Sequence, residues 1–236
     1  MKQTLTFALA LSCLTSFAQR QFSIKVYQNT DTYNLIVAEP WKNQTSETRR
    51  VVGFSRFSMA LTLEKEFIHE LELFLPEFGK AADDLQFPMH RKITKDPRFQ
   101  SQASAYSFRY ELTKSLTRGN SPLGLSLGAG LHPYYVQIDY TPTVSVAYPS
   151  TRSWFGAGIV ITPRITYDIT KRLYLDLNVP LRVFDYQYNK EHIRNPAIPL
   201  RQQVNAFLKY RFFDDVYTLR FGIAYWIGSR KLAGRR

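Results

Sequence analysis

The chain has 236 residues, 44% of them apolar, 15% aromatic and 21% charged, which excludes a disordered chain and provides for one domain, or at most two, with a sizeable core. Lys and Arg number 31 against 19 Asp and Glu, a formal net charge of +12 that suits nucleic acid, an anionic membrane surface or an acidic ligand without choosing among them. No run of eighteen apolar residues occurs, so a conventional membrane-spanning helix is excluded, but a membrane is not.

The first element is an export signal. Lys2 precedes an apolar stretch from Phe7 to Leu14, and Ser16 and Ala18 are the small residues a signal peptidase needs before its cut. Residues 1–18 are expected to be cleaved, leaving residues 19–236 as a single domain. Removing Lys2 lowers the basic count from 31 to 30 and the net charge to +11, so the basic excess belongs to the mature chain. Cys13, the one cysteine, leaves with the signal, which excludes disulfides and cysteine metal sites. An exported, cysteine-free chain fits a bacterial envelope better than a disulfide-stapled extracellular setting. Asn43-Gln44-Thr45 matches a glycosylation acceptor and is read as a polar loop.

From there the chain alternates with a period of two. Phe22, Ile24 and Val26 oppose Ser23 and Lys25, and Met59, Leu61 and Leu63 oppose Ser58, Ala60, Thr62 and Glu64. Residues 59–75 also place Met59, Leu63, Phe67, Leu71 and Leu75 on one helical stripe, so a helix is the alternative to a hairpin of strands near 54–65 and 70–78. Further on, Tyr106, Phe108, Tyr110 and Leu112 alternate with Ser107, Arg109, Glu111 and Thr113, and Leu123 to Leu131 with Gly124 to His132. The run from Phe155 to Tyr167 sets Ala157, Ile159, Ile161, Pro163 and Ile165 against Gly156, Gly158, Val160, Thr162, Arg164 and Thr166. Leu173 to Val183, Val204 to Phe212 and Tyr217 to Ile227 repeat the pattern.

A soluble sandwich and a membrane barrel both have one apolar and one polar face. Strand length separates them, because many runs here reach 11 to 16 residues whereas soluble strands average about five or six. Phe155 and Tyr167, and Tyr217 and Tyr225, bracket aliphatic faces as an aromatic girdle does. The opposite faces carry Arg109, Glu111, Arg164, Asp168, Asp176, Arg182, Lys209, Arg211 and Arg220, which in a narrow barrel point inward and pair, forming a lumen charge network.

These features resemble the small outer-membrane β-barrel proteins of Gram-negative bacteria, described as outer-membrane-protein β-barrel domains. The resemblance rests on the signal ending Ser16-Phe17-Ala18-Gln19 and on hairpins at Tyr167–Tyr174 and Phe212–Leu219. It implies insertion by the outer-membrane assembly machinery and rarely implies an enzyme. The basic tail after Ile227, through Lys231, Arg235 and Arg236, departs from the aromatic ending common in such barrels.

The expected fold is all-β, an antiparallel up-and-down transmembrane barrel of 8 to 10 strands, with nine strands found and an even number required. The missing strand is sought within residues 31–39. Long connections at 29–53, 79–101, 139–152 and 187–201 are expected to face the exterior. His69, His90, His132 and His192 stand apart from other metal ligands, so neither metal nor cofactor is expected. His132, before Pro133, is read as marking a kink or bulge where the alternation changes phase. Asp83-Asp84 and Asp214-Asp215 are read as solvated turn residues and His69-Glu70 as a turn, so no catalytic residue is assigned. Arg49, Arg50, Arg91, Lys92, Lys95, Arg98, Arg152, Lys190, Arg194 and Arg201 fall mostly in long connections, where they suit lipopolysaccharide phosphates or simply keep loops soluble. The expected protein is therefore a non-enzymatic outer-membrane barrel contacting lipid, lipopolysaccharide or envelope proteins, and not nucleic acid. A narrow anion-preferring channel and a soluble periplasmic ligand-binding barrel are its rivals.

Overall fold

The computed structural model describes residues 21–38, 47–64, 67–80, 92–94, 98–117, 121–213 and 217–227. The proposed signal with Cys13, the Asn43–Thr45 loop, Asp83, Asp84, His90, Arg91, Lys95, Asp214, Asp215 and the basic tail lie outside the described residues. In chain order the strands are β1 (Gln21–Ala38), β2 (Glu47–Glu64), β3 (Ile68–Phe74), β4 (Glu77–Lys80), β5 (Lys92–Thr94), β6 (Phe99–Ser115), β7 (Leu123–Pro142), β8 (Ser150–Asp168), β9 (Leu173–Asn178), β10 (Leu181–Ile193), β11 (Val204–Phe212) and β12 (Tyr217–Ile227).

Eleven of these make eight staves. Neighbours in the wall follow the chain: β1 pairs with β2, β2 with β3, β3 and β4 with β6, β6 with β7, β7 with β8, and β8 with both β9 and β10. The ring closes because β12 is antiparallel to both β9 and β1. β9 and β10 are one ascending stave broken at Val179 and Pro180, since both run along β8. β11 and β12 are likewise one descending stave, because β11 is antiparallel to β10 and β12 to β9.

This corrects the hairpin expected at Phe212–Leu219: the chain does not reverse there. The alternation on either side of such a break is the same for a turn as for an interruption, and only the cross-strand partners distinguish them. It also gives an even count of eight staves. Residues 31–38 supply no separate strand but lengthen β1. The helix alternative at 59–75 is excluded, because Ala60, Thr62, Glu70 and Glu72 are buried while Met59, Leu61, Leu71 and Leu73 are exposed, a period of two. No phase change occurs at His132. β7 runs unbroken, with Leu131 and Tyr135 outward and His132 and Tyr134 buried inward.

Gln21 and Ile227, the strand ends Glu64, Ile68, Ser115 and Leu123, and the turn at 169–172 lie at one end of the barrel, called lower here. The strand ends Ala38, Glu47, Lys80 and Phe99 and the connections at 143–149 and 194–203 lie at the upper end.

The barrel is inside out relative to a soluble domain. Met59, Leu73 and Phe155 are more than half exposed on the outer face, whereas Glu72, Asp176 and Arg220 are 0% exposed inside. An outer surface of Leu, Ile, Phe and Tyr is stable only against hydrocarbon. Its upper limit is set by one rung on which Tyr106, Tyr135, Phe155 and Tyr188 stand side by side. The next outward rung up carries Ser104, Gln137, Ser153 and Lys190, and Tyr135 Oη donates to Gln137 Oε1 at 2.9 Å. Tyr167 and Tyr225 mark the lower limit, near the turns. From Phe155 down to Tyr167 the wall spans about 28 Å at a tilt of about 45°, the height of an outer-membrane apolar band.

Candidate functional site in the barrel interior

Inward positions in the middle of the barrel bring together four cations, Lys25 (β1), Arg109 (β6), Arg164 (β8) and Arg220 (β12), and four carboxylates, Glu70 and Glu72 (β3), Glu111 (β6) and Asp176 (β9), all buried. Arg164 lies at the centre: its guanidinium reaches Glu70 at 2.6 Å, Glu111 at 2.7 Å and Asp176 at 2.9 Å. Lys25 Nζ bridges Glu70 at 2.7 Å and Asp176 at 2.8 Å. Arg220 meets Glu72 at 2.9 Å and lies over the ring of Tyr27, 4.0 Å from its centroid. Arg109 and Ser58 both donate to Glu72.

Neutral groups complete the shell. Thr113 and Thr162 donate to Glu111 at 2.9 and 2.7 Å, Asn178 to Asp176 at 2.8 Å, and Tyr27 to Asp176 at 2.9 Å. Equal numbers of each sign, with several bonds per carboxylate, are what allow ions to remain charged away from bulk water. Small residues make the room. Glu111 lies over Gly128 and the Tyr27 ring over Gly222, so a Cβ at either glycine would collide with it.

Below the network Ser23 bonds Thr62 at 2.9 Å and Tyr174 at 3.0 Å, and Tyr174 stacks on Trp226 at 5.4 Å, forming a floor. Above it Arg182 donates to His132 Nδ1 at 2.9 Å, Tyr134 to Asp185 at 3.1 Å, and Phe74 stacks on His132 at 5.1 Å. Higher still the inner wall turns apolar, with Ala103, Ala105, Val136 and Ile138 buried and Tyr140 and Trp154 packed against them.

An apolar outer belt between aromatic rungs, around a lumen of neutralised ions, decides the architecture. The chain is a small β-barrel of the outer-membrane type. No protein-family model matches it, and no curated protein does. Among solved structures it is similar to a major outer membrane protein from Thermus thermophilus, at 13% identity over 89% of this chain and 100% of that one, with a TM-score of 0.49. The outer membrane protease OmpT from Escherichia coli matches at 8% identity over 89% and 97%, TM-score 0.45. Ail, the attachment invasion locus protein of Yersinia pestis, matches at 10% over 88% and 99%, TM-score 0.41. Neighbours so distant and so unlike in activity say nothing about what this barrel does.

Of the residues picked out from the sequence, Arg109, Glu111, Arg164, Asp176 and Arg220 meet in the central network. Arg182 joins the cluster above, 3.7 Å from Asp185. Asp168 stands apart beside the lower turn, where its N–H donates to Pro122 O at 2.8 Å. Lys209 and Arg211 are on β11, away from the network, with Lys209 exposed and Arg211 half-buried. Phe155 lies on the upper aromatic rung, Tyr167 and Tyr225 at the lower limit, and Tyr217 opposite Thr32 on β1. Lys25, Tyr27, Glu70 and Glu72 were missed, although their alternation with Ile24, Val26, Leu71 and Leu73 was the available signal. Among the described residues no group of three or more His, Cys, Asp or Glu is arranged to hold a metal ion.

Proposed function

We propose that this protein is an exported, integral outer-membrane barrel with a non-catalytic structural or accessory role in the cell envelope. The observation that carries this is the central network: four buried cations and four buried carboxylates cross-link β1, β3, β6, β8, β9 and β12 through the middle of the lumen. Such a network stiffens the wall and fills the bore of an eight-stave barrel, whose interior is only wide enough for side chains. Residues 1–18 act as the cleaved signal, and the assembly machinery of the outer membrane inserts the chain. With the long connections outward, exposed Arg98, Lys190, Arg194 and Arg201 stand at the upper end, placed to meet lipopolysaccharide phosphates or an acidic envelope partner.

Planar-bilayer recording on the purified, reconstituted barrel tests this. The expected result is no steady conductance. Steady anion-selective current would overturn the filled-lumen reading in favour of a narrow channel, and recovery of the protein in the soluble periplasm would favour a soluble ligand-binding barrel.

A further inference from the structure

At the lower end of the β3–β6 pair, two polar side chains interrupt the apolar outer wall. His69 of β3 points outward on the face of Leu71 and Leu73 and is half-buried; Lys114 of β6 points outward on the face of Tyr110 and Leu112 and is exposed. His69 stands opposite Leu112, so Lys114, two residues further along β6, is its diagonal neighbour, within reach of a long side chain. Each lies one residue from the lower end of its strand, as Tyr167 does on β8, while Tyr225 lies two from the end of β12. The pair therefore sits at the lower aromatic limit, where hydrocarbon gives way to headgroups.

Neighbouring rings orient both side chains and leave donors over. Tyr110 Oη is 2.8 Å from His69 Nδ1. When Tyr110 donates to Nδ1, the imidazole proton is on Nε2, which becomes an outward donor. Lys114 leans across to β3, its Nζ 5.9 Å from the centroid of the Phe67 ring. An aromatic face holds an ammonium in place but supplies no acceptor lone pair for its N–H groups.

Among the described residues neither Lys114 nor His69 has a carboxylate partner. The acids beside them in sequence do not serve, because Glu70 and Glu111 point into the lumen, where Arg164 holds both. Above the pair the wall consists of Leu71, Leu112 and Leu127, each more than 40% exposed, a surface for acyl chains. A cation and an N–H donor side by side at the polar edge of such a surface match a phosphate whose ester carries those chains.

We propose that Lys114 and His69 form a headgroup site for an anionic glycerophospholipid of the leaflet around the lower end of the barrel. This rests on the membrane placement given above and adds a lipid class and a site to it. The phosphate bridges Lys114 Nζ and His69 Nε2, and the acyl chains lie along Leu71, Leu112 and Leu127. Tyr110 is a positioning residue that turns the imidazole toward the phosphate. A zwitterionic headgroup, whose own cation neutralises its phosphate, gains less from Lys114, so the site selects net negative charge.

The test uses the full mature barrel, residues 19–236, which has no cysteine, in phosphatidylcholine vesicles. Leu127, on the strand beside Lys114, and Ile223, on β12, are both exposed on the outer wall four residues from the lower end of their strands. A bimane attached at Leu127→Cys or, in a separate sample, at Ile223→Cys is quenched by phosphatidylglycerol or phosphatidylcholine carrying the same acyl-chain nitroxide. At position 127 phosphatidylglycerol is expected to be preferred about tenfold, the effect of one charge-assisted hydrogen bond, and at position 223 the two lipids are expected to quench alike. Lys114→Gln and His69→Phe are expected to remove most of the preference, and Lys114→Arg to keep it.

The same preference at both positions would overturn the proposal, because selectivity would then belong to the whole belt. So would an unchanged preference in Lys114→Gln. Loss of the preference on adding glycerol 3-phosphate at constant ionic strength would also overturn it, since the site would then take phosphate from water and not a lipid. Heat-modifiable migration of the same samples separates these results from failure of the membrane-barrel reading, which would remove the mobility shift itself.

Discussion

Arg164→Met is the sharpest test of the central network. The substitution keeps an unbranched apolar chain in the site and removes the guanidinium that touches Glu70, Glu111 and Asp176 within 2.9 Å. Three cations then face four carboxylates where the side chains of Arg164 and its three partners are at most 2% exposed. Leaving a buried charge uncompensated costs about 3–5 kcal/mol, or roughly two to three and a half powers of ten in the folding equilibrium. Urea titration of the barrel folded into vesicles, followed by heat-modifiable migration, measures the loss as a lower midpoint. The deficit is expected to narrow on acidification, because a proton on one carboxylate replaces the lost positive charge. Glu111→Gln in the same chain is expected to recover part of the loss, since it restores the count of three against three, and the double-mutant cycle gives the coupling. A midpoint shift worth less than about 1 kcal/mol and insensitive to pH would refute the reasoning, because it would mean that water screens the interior as it screens surface pairs.

Three other perturbations examine the remaining layers. Gly222→Val places a side chain against the Tyr27 ring, which lies under Arg220 and donates to Asp176; overpacking is expected to lower stability by about 1–3 kcal/mol in the same titration. Ile161→Arg, on the outer face below the upper aromatic rung, is expected to cost about 2–4 kcal/mol, against about 0–1 for Ser153→Arg on the polar rung above it; equal costs would place the membrane elsewhere. Trp226→Ala removes the ring stacked on Tyr174 in the floor and is expected to cost about 3 kcal/mol with loss of near-ultraviolet dichroism.

Alternation made the wall legible from sequence. A strand with one face in lipid and the other in a polar lumen must change character at every residue, so Phe155 to Tyr167 reveals its faces without any partner. The same rule announced Arg109, Glu111, Arg164, Asp176 and Arg220 as inward charges, and it passed over Glu70 and Glu72, whose segment was also readable as a helix, and over Lys25, whose visible alternation was as short as Phe22 to Val26. Pairing is a different kind of information. Whether the chain turns back after Phe212 or continues the same stave depends on what β11 and β12 bond to, namely β10 and β9, partners 12 to 52 residues away. Sequence by itself determined the period, the two faces and the kind of boundary each must meet, because those are properties of single strands in a given solvent. Only the tertiary structure decided the eight-stave closure and the matching of four cations to four carboxylates, because each depends on which strand lies beside which.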